Sequence, residues 1–176
     1  MNKKFELLLD DTITIFGIKL FRIKALISFG NVEEGEIGGY VEKEDNLSSY
    51  GDAWVSGDAW VYGNARVYGN AWVSGDARVY GNAMVYGNAR VSGDAMVSGD
   101  ARVYGNAGYI VFKNNWSSGR YFTYTKSNKM WKVGCFYGTG QELIKKAYQD
   151  SEVSGKHYEA YVEFVEKLEK LEETND

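Results

Sequence analysis

A single histidine, His157, and a single cysteine, Cys135, are all that this 176-residue chain offers for imidazole or thiol chemistry. A catalytic or structural zinc site needs three or four ligands in one place, and one histidine at the start of a helical stretch reads as a surface or packing residue. Cys135 has neither a histidine nor a second cysteine near it in sequence, so it reads as a small buried hydrophobe rather than an activated thiol. Asp58, Asp76 and Asp94 recur every eighteen residues, and stacked carboxylates would invite a hard cation. Equivalent positions in other repeats carry Asn, which marks them as turn residues instead. No catalytic residue, metal site or cofactor is expected. What remains is a regular set of aromatic and arginine side chains: Trp54, Trp60 and Trp72; Arg66, Arg90 and Arg102; Tyr68, Tyr86 and Tyr104. Tryptophan, tyrosine and arginine dominate binding hot spots, and arginine grips carboxylates and phosphates with a rigid fork. The chemistry these residues predict is binding.

Their regularity comes from the element that carries them. Residues 51 to 110 repeat Gly-Asp/Asn-Ala-x-Val-Ser/Tyr in nine clean copies and a worn tenth. A short exact period predicts a solenoid, in which each repeat buries its apolar edge only by stacking on neighbours. In a strand, Ala and Val two residues apart face the same side and form the core, whereas x and Ser/Tyr face outward. Gly and Asp/Asn tolerate the positive φ of a sharp corner. At a spacing of eighteen, Ser56, Ser74 and Ser92 align, as do Tyr68, Tyr86 and Tyr104. At a spacing of twelve, Arg66, Arg78, Arg90 and Arg102 align instead, opposite Trp60, Trp72, Met84 and Met96. Eighteen implies three sides and twelve implies two. Three sides are the better reading, because a flat Ala/Val core would be thin and has no cysteine staples. On the three-sided reading Trp54, Trp72 and Arg90 share one face, while Tyr68, Tyr86 and Tyr104 run up another beside Arg66 and Arg102. Ice binding would need a flat threonine array, and the coils hold no threonine.

The Val-x-Gly-Asp/Asn-Ala-x-Val pattern resembles the hexapeptide repeat of left-handed β-helix proteins, over about a third of the chain. The resemblance implies left-handed winding and triangular coils of eighteen residues, here three full coils and a fraction. Many such proteins are acyltransferases with a histidine base on a coil, and related carbonic anhydrases hold zinc with three histidines. The coils here contain none, so neither activity carries over. A second resemblance lies in the flanks. Leu20-Phe21-Arg22-Ile23-Lys24-Ala25-Leu26, Gly38-Gly39-Tyr40-Val41-Glu42, Asn46-Leu47-Ser48 and Val133-Gly134-Cys135-Phe136-Tyr137-Gly138-Thr139 are similar to segments of uncharacterised hexapeptide-repeat proteins of bacteria and prophages.

The flanks read as caps, since an open solenoid end exposes a core and a strand edge. Residues 1–50 predict an N-terminal β cap with strands at 5–9, 12–16 and 19–26, a turn at Asp10-Asp11 and a tight entry into the coils at 35–40. Residues 51–110 form the repeat region, and 111–176 a C-terminal cap. There, strands are expected at 109–112, 121–125 and 130–136, with helices over 141–148 and 156–173. The second helix carries a stripe of Tyr158, Tyr161, Val162, Val165, Leu168 and Leu171. The fold class is therefore mainly β: a left-handed three-sided β-helix with a β cap before it and a hairpin plus helices after it.

One cysteine and no apolar leader point to a reducing, cytoplasmic compartment without a membrane span. The net charge of −4 argues against nucleic-acid binding by bulk electrostatics. The function expected is a non-enzymatic binding scaffold of phage or prophage type, homo-oligomeric, whose faces meet a host protein or a small anionic ligand. Two alternatives stand beside it: a counter-defence protein that blocks a host immune protein or sequesters a nucleotide signal, and a structural virion or envelope component.

Overall fold

The computed structural model describes residues 3–105 and 107–174. An antiparallel hairpin of β1 (Phe5–Ile15) and β2 (Ile18–Ala25) leads into β3 (Ile37–Val41). The repeats then supply nine short strands: β4 (Trp54–Val55), β5 (Trp60–Val61), β6 (Arg66–Val67), β7 (Trp72–Val73), β8 (Arg78–Val79), β9 (Met84–Tyr86), β10 (Arg90–Val91), β11 (Met96–Val97) and β12 (Arg102–Tyr104). They pair in parallel at a spacing of eighteen, so that Trp54 meets Trp72, Trp60 meets Arg78 and Arg66 meets Met84. Three sheets result: β3-β5-β8-β11 continuing the hairpin, β6-β9-β12, and β4-β7-β10. The protein is thus a β-solenoid of three sides, and the twelve-residue alignment has no counterpart in the strand pairing.

Every Ala and Val of the nine clean repeats is completely buried. The corner glycines of these nine repeats all have positive φ, from 62° at Gly99 to 71° at Gly69, a conformation that costs glycine nothing. The x amides donate to the Ala carbonyls of the next coil, as in Trp60 to Ala77, and the amides of Asp58, Asn64, Asn70 and Asn82 donate to its Gly carbonyls, as in Asp58 to Gly75.

The solenoid has about four turns, one of them built outside the repeat. Tyr40 pairs with Trp60 and Val41 with Val61, and Leu47 bridges to Val67. Gly38 and Gly39 permit this entry: a Cβ on Gly38 would stand 2.5 Å from the Val55 carbonyl oxygen, and one on Gly39 2.7 Å from that of Ala59. Ahead of the first clean repeats, three side chains replace the missing donors of a preceding coil. Lys4 Nζ donates to Ala53 O at 2.6 Å, Gly51 O at 3.0 Å and Ser48 O at 3.3 Å. Arg22 Nη1 donates to Gly57 O, and Asn46 Nδ2 donates to Gly63 O and Ala65 O. Hydroxyls do the reciprocal work at the far end: Met96 N–H donates to Thr123 Oγ1, Arg102 N–H to Ser127 Oγ and Ser92 N–H to Tyr109 Oη.

After the coils, β13 (Tyr109–Lys113), β14 (Tyr121–Thr125), β15 (Met130–Val133) and β16 (Phe136–Gly138) form an antiparallel sheet in that order. Helices α1 (Gly140–Asp150) and α2 (Glu152–Glu173) pack on it around a second core of Phe122, Trp131, Leu143, Tyr158, Val162 and Val165. Thr139 caps α1, its hydroxyl accepting from the Glu142 amide, while burial and a hydrogen bond to Glu169 push the Tyr124 hydroxyl's pKa upward.

Three local expectations need correction. The N-terminal turn lies at Phe16-Gly17, not Asp10-Asp11; both turn residues have positive φ and Ile15 pairs with Ile18, whereas residues 9–11 form an irregularity within β1. The stretch 130–136 is two strands folded around Gly134-Cys135, where Val133 pairs with Phe136. Cys135 is consequently exposed: read as one strand, it would share the inward parity of Trp131 and Val133, but a two-residue turn offers it nothing to bury against.

Candidate binding face

The nine predicted binding residues fall on three different faces. On the β4-β7-β10 face, Trp54, Trp72 and Arg90 stack in register. Trp54 was expected to face outward, but it is 0% exposed. Phe29 meets its ring edge-on at 5.5 Å, and Gly38 lies close enough that a Cβ there would stand 2.7 Å from the ring. The N-terminal segment has therefore turned this position into core, and its indole Nε1 has no partner among the described residues. Trp72 is half-buried, donating from Nε1 to Ser56 Oγ at 2.9 Å, with the Arg90 guanidinium 5.8 Å from its ring.

On the face continuous with the hairpin, aromatic and guanidinium groups alternate. Arg22 lies 4.1 Å from the Tyr40 ring and Arg78 4.3 Å from the Trp60 ring. Such cation–π contacts contribute about 0.5–2 kcal/mol each, depending on desolvation. Beside them Tyr62 and Tyr80 stack at 5.0 Å, and Lys132 of the C-terminal sheet approaches Tyr80. Burial, and secondarily Tyr80, push the Tyr62 hydroxyl up to about 12, against the pull of Arg78. This face is engaged by the chain's own ends.

The β6-β9-β12 face is different. It brings together five of the predicted residues: Arg66 and Arg102, both exposed, and Tyr68, Tyr86 and Tyr104. Met84 stands between the arginines, whose backbones are about 10 Å apart at two strand spacings. Tyr68 and Tyr86 stack at 5.0 Å with an interplanar angle of 5°, and Tyr104 continues the column at 5.2 Å, tilted by 44°. The Tyr68 hydroxyl points to the Met84 sulfur at 3.9 Å. Burial and Tyr86 raise its pKa, and Arg102 and Arg66 oppose that rise, so both cations reach it electrostatically. An open groove of about 530 Å³ starts at the N-terminal end of this face, lined by Glu44, Asp45, Ser49, Tyr50, Arg66 and Tyr68.

Sequence reasoning missed Tyr50 and Met84 here. The signal existed, because Tyr50 lies eighteen residues before Tyr68, and Met84 lies eighteen from each of Arg66 and Arg102. Register also limits what the column can do. Rings stacked face to face offer a ligand their edges and hydroxyls, and only the column's ends offer an open π-face. The arginines supply the directional charge.

His157 sits on α2, its Nδ1 2.7 Å from the Val153 carbonyl oxygen. Among the described residues no group of three or more His, Cys, Asp or Glu side chains could hold a metal ion, and no helix is long and apolar enough to cross a membrane.

The comparisons agree with this architecture. No curated protein matches the chain. The family model described as the YdcK beta solenoid repeat matches residues 59–75, 77–93 and 89–105, the first two segments beginning one eighteen-residue coil apart. Across its central coils the chain is similar to that repeat, and it is a β-solenoid repeat protein.

Proposed function

We propose that this protein is a non-enzymatic binding scaffold of phage or prophage type, working in the cytoplasm of a bacterial host through one rigid solenoid face and through self-association. The observation that supports it most is the contrast between faces. The chain's own flanks occupy the hairpin-side face and bury Trp54, yet leave Arg66 and Arg102 exposed beside an ordered tyrosine column. Side chains already fixed by stacking lose little freedom on binding, which raises affinity without additional area. The phage or prophage assignment and the left-handed winding rest on the flank and repeat resemblances.

The partner this face suits is a protein surface carrying carboxylates. Arginine forks would take the carboxylates, and tyrosine edges and hydroxyls would take neutral polar groups. Sequestering a nucleotide signal is the weaker reading, because stacking between coils already covers the inner faces of the Tyr68–Tyr86 pair. Blocking a host immune protein is one form the favoured reading can take. A purely structural part of a virion or envelope would not depend on these two arginines.

The test is retention of partners from a host lysate by the wild-type chain, by the double variant Arg66→Ala/Arg102→Ala, and by Arg90→Ala as a control on another face. The reading expects the double variant alone to lose its partner. Equal retention by all three would overturn it.

A further inference from the structure

Of the two edge strands of the C-terminal sheet, β13 is the longer. Among the described residues β13 pairs with β14 and with no other strand. Beside it runs an apolar groove between this strand and α2. At one end Ile110 faces Val165 and Leu168 across about 240 Å³. At the other, Phe112 lies 5.5 Å from the Tyr161 ring and 6.0 Å from the Phe164 ring, along a space of about 450 Å³ that Trp116 borders. Trp116 is 77% exposed and Phe164 49%. The strand reads Tyr-Ile-Val-Phe-Lys, rich in strand-forming side chains and carrying one charge. Natural edges are usually guarded by more charge, a bulge or a proline.

We infer that a second copy of the chain fills this groove, its β13 pairing antiparallel with β13 about a two-fold axis through Val111. The strand is self-complementary in that register. Val111 faces Val111 of the other copy, Ile110 faces Phe112, and Tyr109 faces Lys113. Apolar and aromatic cross-strand pairs stabilise such a ladder, whereas like charges directly opposite weaken it. Parallel in-register pairing would place Lys113 against Lys113. The same axis brings the Ile110 end of one copy's groove to the Phe112 end of the other's. The contact is isologous and closed, so it makes a dimer rather than a fibre. It joins two four-stranded sheets into one. The inference rests on the self-association part of the function proposed above, and it leaves the Arg66–Arg102 face free.

The experiment is size-exclusion chromatography with light scattering on the full chain over about 1–100 μM, the range in which a modest interface becomes visible, together with amide hydrogen exchange. The wild type should show twice the 19.8 kDa of one chain, with slow exchange at residues 109–113. Phe164→Glu, on an exposed position, should raise the dimer dissociation constant about tenfold or more and speed exchange at 109–113 while leaving the coils protected. Trp116→Ala should act in the same direction, and it serves if the first variant folds poorly. Arg66→Ala/Arg102→Ala should leave the dimer intact, which separates this inference from the partner-binding reading. A wild-type monomer across the range would overturn the inference. So would a dimer indifferent to both groove variants, or one whose 109–113 amides exchange as fast as those of an open edge.

Discussion

Lys4→Met removes an ammonium while keeping most of its aliphatic stem. The ammonium is buried, donates to Ala53 O, Gly51 O and Ser48 O, and sits 4.2 Å from the Phe29 ring. Two of those acceptors, Gly51 O and Ala53 O, occupy positions that in later coils receive backbone amides from the coil before. No backbone strand precedes them here, so methionine leaves two carbonyls without donors at about 1–3 kcal/mol each. The opposing term is the cost of keeping a cation out of water. Burial pulls the Lys4 pKa down to about 8 from 10.5, with Asp52 resisting. That cost offsets part of the bonding, so a net loss of about 2–3 kcal/mol is expected, against less than about 0.5 kcal/mol for Lys3→Met at the exposed neighbouring position. Urea unfolding would measure both, with an unchanged m-value as the sign that the unfolded state is not responsible. A loss below about 0.5 kcal/mol, or a gain, would refute the reasoning: desolvation would then cancel the carbonyl bonds, as it does in many buried ion pairs.

The same lysine makes stability depend on pH. A lysine whose folded pKa is depressed destabilises the fold while charged, so stability should rise as pH climbs above about 8, by at most about 1.4 kcal/mol per pH unit. The tyrosines act oppositely: with Tyr62 raised to about 12 and Tyr68 and Tyr124 also raised, stability should fall above pH 10. Urea midpoints from pH 7 to 11 should therefore pass through a maximum, and a steady decline from pH 7 would contradict the Lys4 assignment. Asn46→Ala should cost about 2–3 kcal/mol in the same assay, since its amide serves Gly63 O and Ala65 O. Gly51→Ala places a Cβ 2.4 Å from the Gly69 carbonyl oxygen at a φ of 69° and should cost well over 2 kcal/mol. Gly93→Ala, with the same kind of φ but open space around it, should cost about 1 kcal/mol. Equal losses would mean that conformation alone, without coil-to-coil crowding, sets the penalty.

The repeat made the solenoid legible because its spacing encodes the pairing. Columns of Tyr68, Tyr86 and Tyr104 could coincide with strand register only if a coil holds eighteen residues, and that is how β6, β9 and β12 pair. The first coil was harder to read because it abandons the motif. Gly39-Tyr40-Val41 stands where Ala-x-Val would be expected. Asn46 occupies the x position before Leu47, and there a side-chain amide takes over a bond that the backbone makes elsewhere. Trp54 shows what a periodic pattern omits. Its x position predicts an outward ring, but whether outward means exposed depends on what crosses over it, and Phe29 and Gly38 come from outside the repeat. Cys135 failed for a local reason, since apolar residues on both sides of Gly134 hid a two-residue turn.

Both ends of the coil stack meet side chains chosen for opposite hydrogen-bonding needs. Ammonium, guanidinium and amide groups supply donors at the first coils, and hydroxyls accept at the last. Terminal repeats of solenoids need such closure because stacking has stopped. The consequence for function is spatial: the N-terminal segment buries Trp54 and the hairpin extends the β5 sheet, whereas Arg66 and Arg102 on the β6-β9-β12 face, like Arg90, stay exposed.

Native mass spectrometry of chain purified gently from a bacterial host, wild type beside Arg66→Ala/Arg102→Ala, tests the binding-scaffold account most directly. The account predicts an added mass of protein size on the wild type that is absent from the double variant, with the same number of chains in both. An added mass that survives the double substitution, or a wild type carrying no added mass, would contradict it.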